Sequence, residues 1–372
     1  MQKTLGSALI VAGTTIGAGM LALPLASAHL GFFYSALLLV ACWLLAAFAA
    51  WVMADLFVAG GKAHSLDSLA TETLGKSGRL LTGACMGFLY YALMAAYISG
   101  GASLLAARFG LDGQLAAPLF TLAVAAVVTL STRSVDLSNR LLFSLKLLVL
   151  VLVFNQLMPD VDSRQLLPQG VVELSMLTAL PVVFTSFGFH GGIPSLVGYL
   201  DGDRRRLRLA LIAGSALPLL LYLGWQAVIY GSVGSGTLQG LDGSVDAMLT
   251  AVGGESGLAS QGLKLFADLA LATSFLGVAL GLFDFMAAVT RRSNSTWGRL
   301  QTTAITFLPP LLVALFYPDG FIAALGYAAI ALAMLALVIP GLISHRLLGS
   351  RGRALGLIAS GGLVIAAQVM GA

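Results

Sequence analysis

Charge is what this sequence has least of. Only 10% of its 372 residues are Asp, Glu, Lys or Arg, while 58% are hydrophobic and the mean hydropathy is +0.95. A soluble domain carries about 25% charged residues, and much of its area must still face water. A soluble globular fold is therefore excluded. Cysteine is nearly absent. Cys42 and Cys85 both lie in apolar runs without metal-site spacing and read as small buried hydrophobes. There is no HExxH segment and no membrane-embedded serine–histidine set, so an enzyme is not expected, nor any cofactor or metal. The basic residues sit in short turns between apolar runs, so the net charge of +4 does not point to nucleic acid.

Long apolar runs are what is there. A membrane span needs about 20 residues. Eleven runs qualify, near 6–29, 33–58, 80–108, 115–131, 137–158, 171–200, 207–230, 262–288, 300–317, 320–343 and 354–371. A single Lys3 precedes the first run and no early polar region follows, so that run is expected to stay as a span rather than act as a removable signal. The longest loop is expected at about 231–261, with a short helix over 244–252 lying across the outer mouth. Span 11 carries Gly356, Gly361 and Gly362 and reads as peripheral.

Lysine and arginine set the orientation. With the N-terminus inside, sixteen basic residues fall in inner segments, including Lys3, Lys62, Arg133, Arg140, Arg204–Arg206, Arg208, Arg291, Arg292 and Arg353. Only Arg108 and Arg164 fall outside. The outer loops carry acids instead, among them Asp160, Glu173, Asp242 and Asp319. Eleven spans then put the C-terminal end outside.

Two spans are interrupted. Span 1 contains VAGTTIGAGMLALP at 11–24, with Gly13, Gly17 and Gly19 ahead of Pro24. Span 6 contains SFGFHGGIP at 186–194, with three glycines ahead of Pro194. Glycine weakens a helix interior by about 1 kcal/mol relative to alanine, and proline removes a donor. Open backbone in a membrane is tolerated only where it lines a cavity or is satisfied by protein. Close packing of small residues explains either stretch alone. Five spans separate them, so the two cross in opposite directions, the pattern of an inverted-repeat transporter with its site at the breaks. The N-terminal ends of resumed half-helices favour a carboxylate and the C-terminal ends of preceding halves favour a cation. An amino acid zwitterion offers both. The amides of Thr14, Thr15, Ile16, Gly17, Ala18 and Gly19 are the candidates for the carboxylate, and carbonyls near Gly13, Thr185 and Phe187 for the amino group. Gly188 belongs to the second break, and Tyr97 and Phe184 to the aromatic population around it.

Ionisable groups inside spans are candidates for function. Lys146 sits in FSLKLLVLVLVFN, mid-span 5, as a tethered cation, a proton-linked switch or one half of a fixed pair. His190 lies in the second break, suited either to proton coupling or to a hydrogen-bonding wall. Asp268 follows Lys264 by four residues, so a local ion pair is expected. Asp284 is expected to pair with Arg291 or Arg292 or to guard the inner gate, and Asp55 to be interfacial. The arginines at 204–206 read as a topology anchor, with lipid headgroups the weaker alternative.

The segments GTTIGAGMLALP at 13–24, FLYYALMAAYISGG at 88–101 and SFGFHGGIP at 186–194 resemble bacterial aromatic amino acid permeases of the hydroxy/aromatic amino acid permease family. The resemblance covers nearly the whole chain. It implies an all-α polytopic membrane protein of the amino acid–polyamine–organocation superfamily. Its eleven transmembrane helices would form a five-plus-five inverted repeat, with discontinuous helices 1 and 6 and one extra C-terminal helix. The repeats would be residues 1–158 and 171–343, with 354–371 the additional span. It further implies proton-coupled import across the bacterial cytoplasmic membrane by alternating access. The substrate expected is L-tyrosine, with tryptophan or phenylalanine as the alternatives. Protons, tyrosine and membrane lipids are the expected partners, with no nucleic acid and no obligate protein. In sodium-coupled relatives of this architecture a cation sits between spans 1, 5 and 8, and in some proton-coupled relatives a span 5 lysine replaces it. Lys146 matches that lysine in span and depth. Thr273 and Ser274 match the span 8 hydroxyls, which leaves sodium coupling as an alternative. A channel would need a continuous polar pore, and a non-transporting sensor a signalling segment; these are the alternatives of another class.

Overall fold

An apolar run without water must satisfy its backbone internally, and a helix does so within one segment. The computed structural model describes residues 2–61, 65–130, 132–168, 175–292 and 295–371, and these are helical with no strand among them. Expectations placed on Lys62 and Glu173, and the start of span 6, fall outside the described residues.

Span 1 consists of α1 (Gln2–Thr15) and α2 (Gly19–Ala26), bent by 55° where they meet. The next four spans are α3 (Gly31–Gly60), α4 (Leu66–Phe109), α5 (Gly113–Leu130) and α6 (Thr132–Leu157). Span 6 consists of α7 (Ser175–Thr185) and α8 (Ile193–Tyr199). After it come α9 (Arg204–Gln239), the short α10 (Val245–Gly253), α11 (Leu258–Thr290) and α12 (Thr296–Phe316). α13 (Phe321–Ala333) and α14 (Ile339–Leu348) form one span through a wide turn at 334–338, and α15 (Arg351–Gly371) is the last. Among the described residues, ten helices are long and apolar enough to cross a membrane, and up to eleven if the bent α1–α2 pair counts as one. Large side chains such as Leu122, Leu130, Leu220 and Phe316 are exposed, as lipid-facing residues should be.

Two boundaries differ from expectation. Span 3 begins near residue 66 rather than 80, with a kink at Gly75, whose φ is +76°. Span 7 runs on to Gln239, so most of the expected 231–261 loop is helical. That Gly/Ser-rich stretch is held by tertiary contacts: Asp162 donates its amide to the Gly231 carbonyl at 3.0 Å, and the Gln239 side chain donates to the Ala28 carbonyl at 3.3 Å. The short helix expected over 244–252 is α10, capped by Ser244, which accepts from the Ala247 amide at 3.2 Å. It packs against α2, α4, α9 and α11. Span 11 packs on α7, α13 and α14. α1 approaches α9 closely because Gly214 has no side chain; a Cβ there would lie 2.6 Å from the Ala8 carbonyl oxygen.

Two charge expectations are corrected. Asp268 does not pair with Lys264. Arg108, at the end of α4, reaches it at 2.5 Å, and a cross-helix guanidinium replaces the local lysine. Among the described residues Asp284 makes no ion pair with Arg291 or Arg292, and Arg292 donates instead to Gln301. Asp55 is more than interfacial. Its side chain is 11% exposed and holds Arg208 and Arg353 at 3.3 Å and Arg204 at 3.9 Å, tying α3, α9 and α15 at one end of the bundle. Removing one carboxylate strands three guanidiniums. Asp55→Asn is expected to lower stability by about 2 kcal/mol, below the range for fully buried pairs because the arginines are half exposed. Thermal unfolding of the purified protein checks this, and Arg353→Gln is expected to cost less.

Candidate substrate and coupling site

A broken helix leaves backbone groups that need partners, and the first break can be followed group by group. The Ile16 amide reaches back to the Ala12 carbonyl at 3.0 Å. The Thr15 carbonyl accepts the Tyr222 hydroxyl at 2.6 Å. The Ile16 carbonyl accepts the Lys146 ammonium at 2.9 Å. The Ala18 amide donates to the Ser274 hydroxyl at 2.8 Å. The Gly17 and Ala18 carbonyls start α2 by accepting from Met20 and Leu21. The Gly19 amide has no hydrogen-bond partner among the described residues, and Gly19 lines a cavity. The Thr14 and Thr15 hydroxyls bond back to carbonyls of their own helix at 2.7–3.0 Å, the usual habit of hydroxyls in a span.

Space is tight at two glycines here. A Cβ on Gly17 would lie 2.6 Å from the Ser274 Oγ, and one on Gly19 3.0 Å from the Ser186 Oγ. The breaks of spans 1 and 6 thus touch at Gly19 and Ser186.

The second break begins after Thr185. The Ser186 amide donates to Val182, Phe187 to Phe184, and Phe189 to Phe187, before a single turn at 190–192 leads into α8. The Thr185 hydroxyl bonds Pro181 and Leu325 carbonyls at 2.9 and 3.3 Å. The Thr185 carbonyl receives no donor among the described residues. The Ser186 carbonyl accepts from Tyr222 at 3.1 Å.

Both breaks face one cavity of about 690 Å³, within the range of small-molecule sites, roughly 300–1,000 Å³. Its walls include Gly13 to Gly17 and Gly19 from span 1 and Thr185, Ser186 and Gly188 from span 6, with Leu89, Leu93 and Tyr97 of α4. α6 adds Asn139, Arg140, Phe143 and Lys146, and α11 adds Thr273, Ser274, Gly277 and Val278. Lys146 is 1% exposed. Besides the Ile16 carbonyl it donates to the Thr273 hydroxyl at 3.1 Å, and it sits 4.7 Å from the centre of the Phe143 ring. No carboxylate pairs with it among the described residues, so its charge is met by oxygen dipoles and a ring face. One of those dipoles lies where α1 ends, at the negative end of a helix.

A sequence profile described as the tryptophan/tyrosine permease family matches residues 1–370. The chain belongs to the tryptophan/tyrosine permease family. Among its relatives are two tyrosine-specific transport systems of Haemophilus influenzae. System 1 is 41% identical over 91% of this chain and 87% of its own length, and system 2 is 38% identical over 91% and 86%. A tryptophan-specific transport protein of the same organism is 36% identical over 91% of this chain and 86% of its own.

In this permease the sequence candidates divide. Gly13, Thr14, Thr15, Gly17, Gly19, Tyr97, Lys146, Thr185, Gly188, Thr273 and Ser274 line the cavity, and Ala18 is held at its edge through Ser274. Phe184, Phe187 and His190 are not on its wall. Phe184 is buried, and Phe187 packs edge-on against Tyr222 with ring centres 5.5 Å apart. The His190 ring stacks on Phe189, and its Nε2 lies 3.0 Å from the Ala46 carbonyl of α3, with Nδ1 buried and without a partner among the described residues. Residues the sequence reading did not single out include Asn139, Phe143 and Tyr222. Asn139 borders the cavity with a buried Oδ1 that has no partner among the described residues. A signal for Tyr222 was present: Tyr222, Gln226 and Tyr230 recur every four residues, placing polar tips on one face of α9.

Proposed function

We propose that this permease imports L-tyrosine into the bacterial cytoplasm together with protons, by alternating access. The observation that carries the reading is Lys146, whose ammonium joins the Ile16 carbonyl in the first break to Thr273 on α11, at the wall of the cavity both breaks face. A zwitterion fits the groups left over there. The unpaired Gly19 amide, at the start of α2, suits the carboxylate, and the Thr185 carbonyl suits the ammonium. Leu93, Tyr97, Val278 and Leu332 offer an apolar and aromatic wall for the ring.

Residues 1–158 and 171–343 act as two inverted repeats, with 354–371 an added span. The N-terminus faces the cytoplasm and the far end of α15 the periplasm, as the arginine asymmetry favours. In this orientation the cavity, which extends past Asn139 to the exposed Arg140, faces inward. A proton taken from outside charges Lys146 and closes the first break around substrate. Loss of that proton to the more alkaline cytoplasm weakens the grip on Ile16 and releases the load. Such coupling requires proton affinity to differ between empty and loaded states.

Tyrosine is preferred over tryptophan because the more similar relatives are tyrosine-specific systems. A site with a hydroxyl partner also rejects analogues lacking the hydroxyl. Counterflow of labelled tyrosine in proteoliposomes without ion gradients tests this. The expected result is exchange competed by tyrosine about tenfold better than by tryptophan or phenylalanine, the discrimination supplied by one hydrogen bond at the upper end of about 0.5–1.5 kcal/mol. Exchange supported best by tryptophan would move the substrate, and absence of counterflow would remove the carrier reading.

A further inference from the structure

Span 1 needs outside help at its break and at its far end, and α9 supplies it from one face. Tyr222, Gln226 and Tyr230 are each 0% exposed. Tyr230 donates to the Ser27 carbonyl at 2.6 Å, with Pro24 at 3.2 Å, and Gln226 donates to the Ser35 hydroxyl at 2.7 Å. These lower rungs serve the far end of span 1, its turn and the first residues of α3. Tyr222 differs. Its hydroxyl lies 2.6 Å from the Thr15 carbonyl and 3.1 Å from the Ser186 carbonyl. One carbonyl is the last of α1, and the other is the first of the second break. A phenol has a single proton to donate, and here it is shared between two separate interruptions of the fold.

We propose that Tyr222 is a positioning residue that clamps the two helix breaks to each other. The Thr15 carbonyl adjoins the Ile16 carbonyl gripped by Lys146. Two successive peptide units of the first break are therefore fixed by two different helices, α9 through Tyr222 and α6 through Lys146. The clamp makes any displacement of one break felt at the other. It keeps the unpaired Gly19 amide in register with the Thr185 carbonyl, and those are the groups through which one zwitterion would be held. The ring does separate work, packing on Phe187, so the hydroxyl can be removed while the packing stays.

The clamp itself is independent of substrate identity; only its transport consequence rests on the function proposed above. The experiment compares amide hydrogen exchange in purified wild type and Tyr222→Phe without substrate, and then transport. Exchange over residues 13–19 and 186–192 is expected to rise together, by about fivefold or more, with α4 and α11 unchanged, as local opening of one cooperative unit requires. The KM for tyrosine is expected to rise about tenfold with a smaller change in maximal rate, the signature of lost binding geometry. 4-Aminophenylalanine at position 222 returns an N–H donor at the ring's para position and is expected to restore both readouts. Faster exchange in one segment only, or in neither, overturns the clamp. So does a lowered melting temperature with KM unchanged, which marks a merely structural hydroxyl. Should Tyr222→Phe fail to fold, the aminophenylalanine protein decides: wild-type exchange in both segments supports the clamp, and faster exchange in either overturns it. A wild type that carries no aromatic amino acid would sink the proposed function, while the exchange comparison still judges the clamp.

Discussion

Lys146→Ala is expected to abolish concentrative tyrosine uptake while leaving gradient-free exchange measurable. Lys146 donates two hydrogen bonds from one ammonium, to Ile16 and to Thr273. Hydrogen bonds from charged groups contribute about 1.5–3 kcal/mol each, about 10- to 100-fold apiece, so with both lost uptake against a gradient should fall by about 100-fold or more, to background. Folding should suffer less, since the Thr273 hydroxyl already bonds the Leu269 carbonyl at 2.8 Å and the Ile16 carbonyl borders the cavity, where water can reach it. Wild-type uptake should fall as the outside pH rises, because a neutral amine is a weaker donor than an ammonium. Exchange by the alanine variant should be flat over the same range. Lys146→Arg separates charge from proton cycling: guanidinium cannot be deprotonated in a protein, so this variant is expected to retain binding and lose accumulation.

Gly17→Ala should be nearly as damaging, for a steric reason. The added Cβ would lie 2.6 Å from the Ser274 Oγ, the atom that accepts the Ala18 amide. Either the serine turns away and the amide loses its partner, or the break opens. Overpacking costs about 1–3 kcal/mol and the lost hydrogen bond about 1 kcal/mol more. Transport should drop by about 30- to 700-fold, each 1.4 kcal/mol counting tenfold, with the protein still inserted. Relief is specific. In Gly17→Ala/Ser274→Ala the offending oxygen is gone, and the nearest remaining serine atom, Cβ, was 3.8 Å from the new methyl. The double variant should transport no worse than Ser274→Ala alone. A double variant as inactive as Gly17→Ala would place the cost elsewhere. Initial rates in proteoliposomes, normalised to protein inserted, measure all three.

Why Gly17 and Lys146 stood out from sequence is physical. A glycine cluster inside an apolar run and a lysine deep in a span each violate the local pattern, and such violations read directly. Span number followed from run length and from the arginine asymmetry for the same reason. What escaped was decided by tertiary partners. Asp268 has Lys264 four residues away, yet Arg108 from another helix pairs with it. Residues 231–239 have loop composition but stay helical because Asp162 and the Ala28 carbonyl hold them. His190 lies in the second break, but the turn at 190–192 aims its ring at α3 rather than into the cavity. Helical periodicity lapses where the helix does, so no pattern told which way it would face. Tyr222 looked like any aromatic in a span. Only the four-residue recurrence with Gln226 and Tyr230 distinguished it, and only coordinates reveal that its hydroxyl meets two carbonyls from segments far apart in the chain.

Two facing helix breaks, with a lysine in place of a bound cation, are proposed to make this permease a proton-driven importer. The most direct test is uptake of labelled tyrosine by wild-type proteoliposomes under an imposed inward proton gradient, with sodium absent. Proton coupling predicts accumulation above the external concentration that collapses when a protonophore is added. Accumulation that appears only with a sodium gradient would contradict it and assign coupling to Thr273 and Ser274.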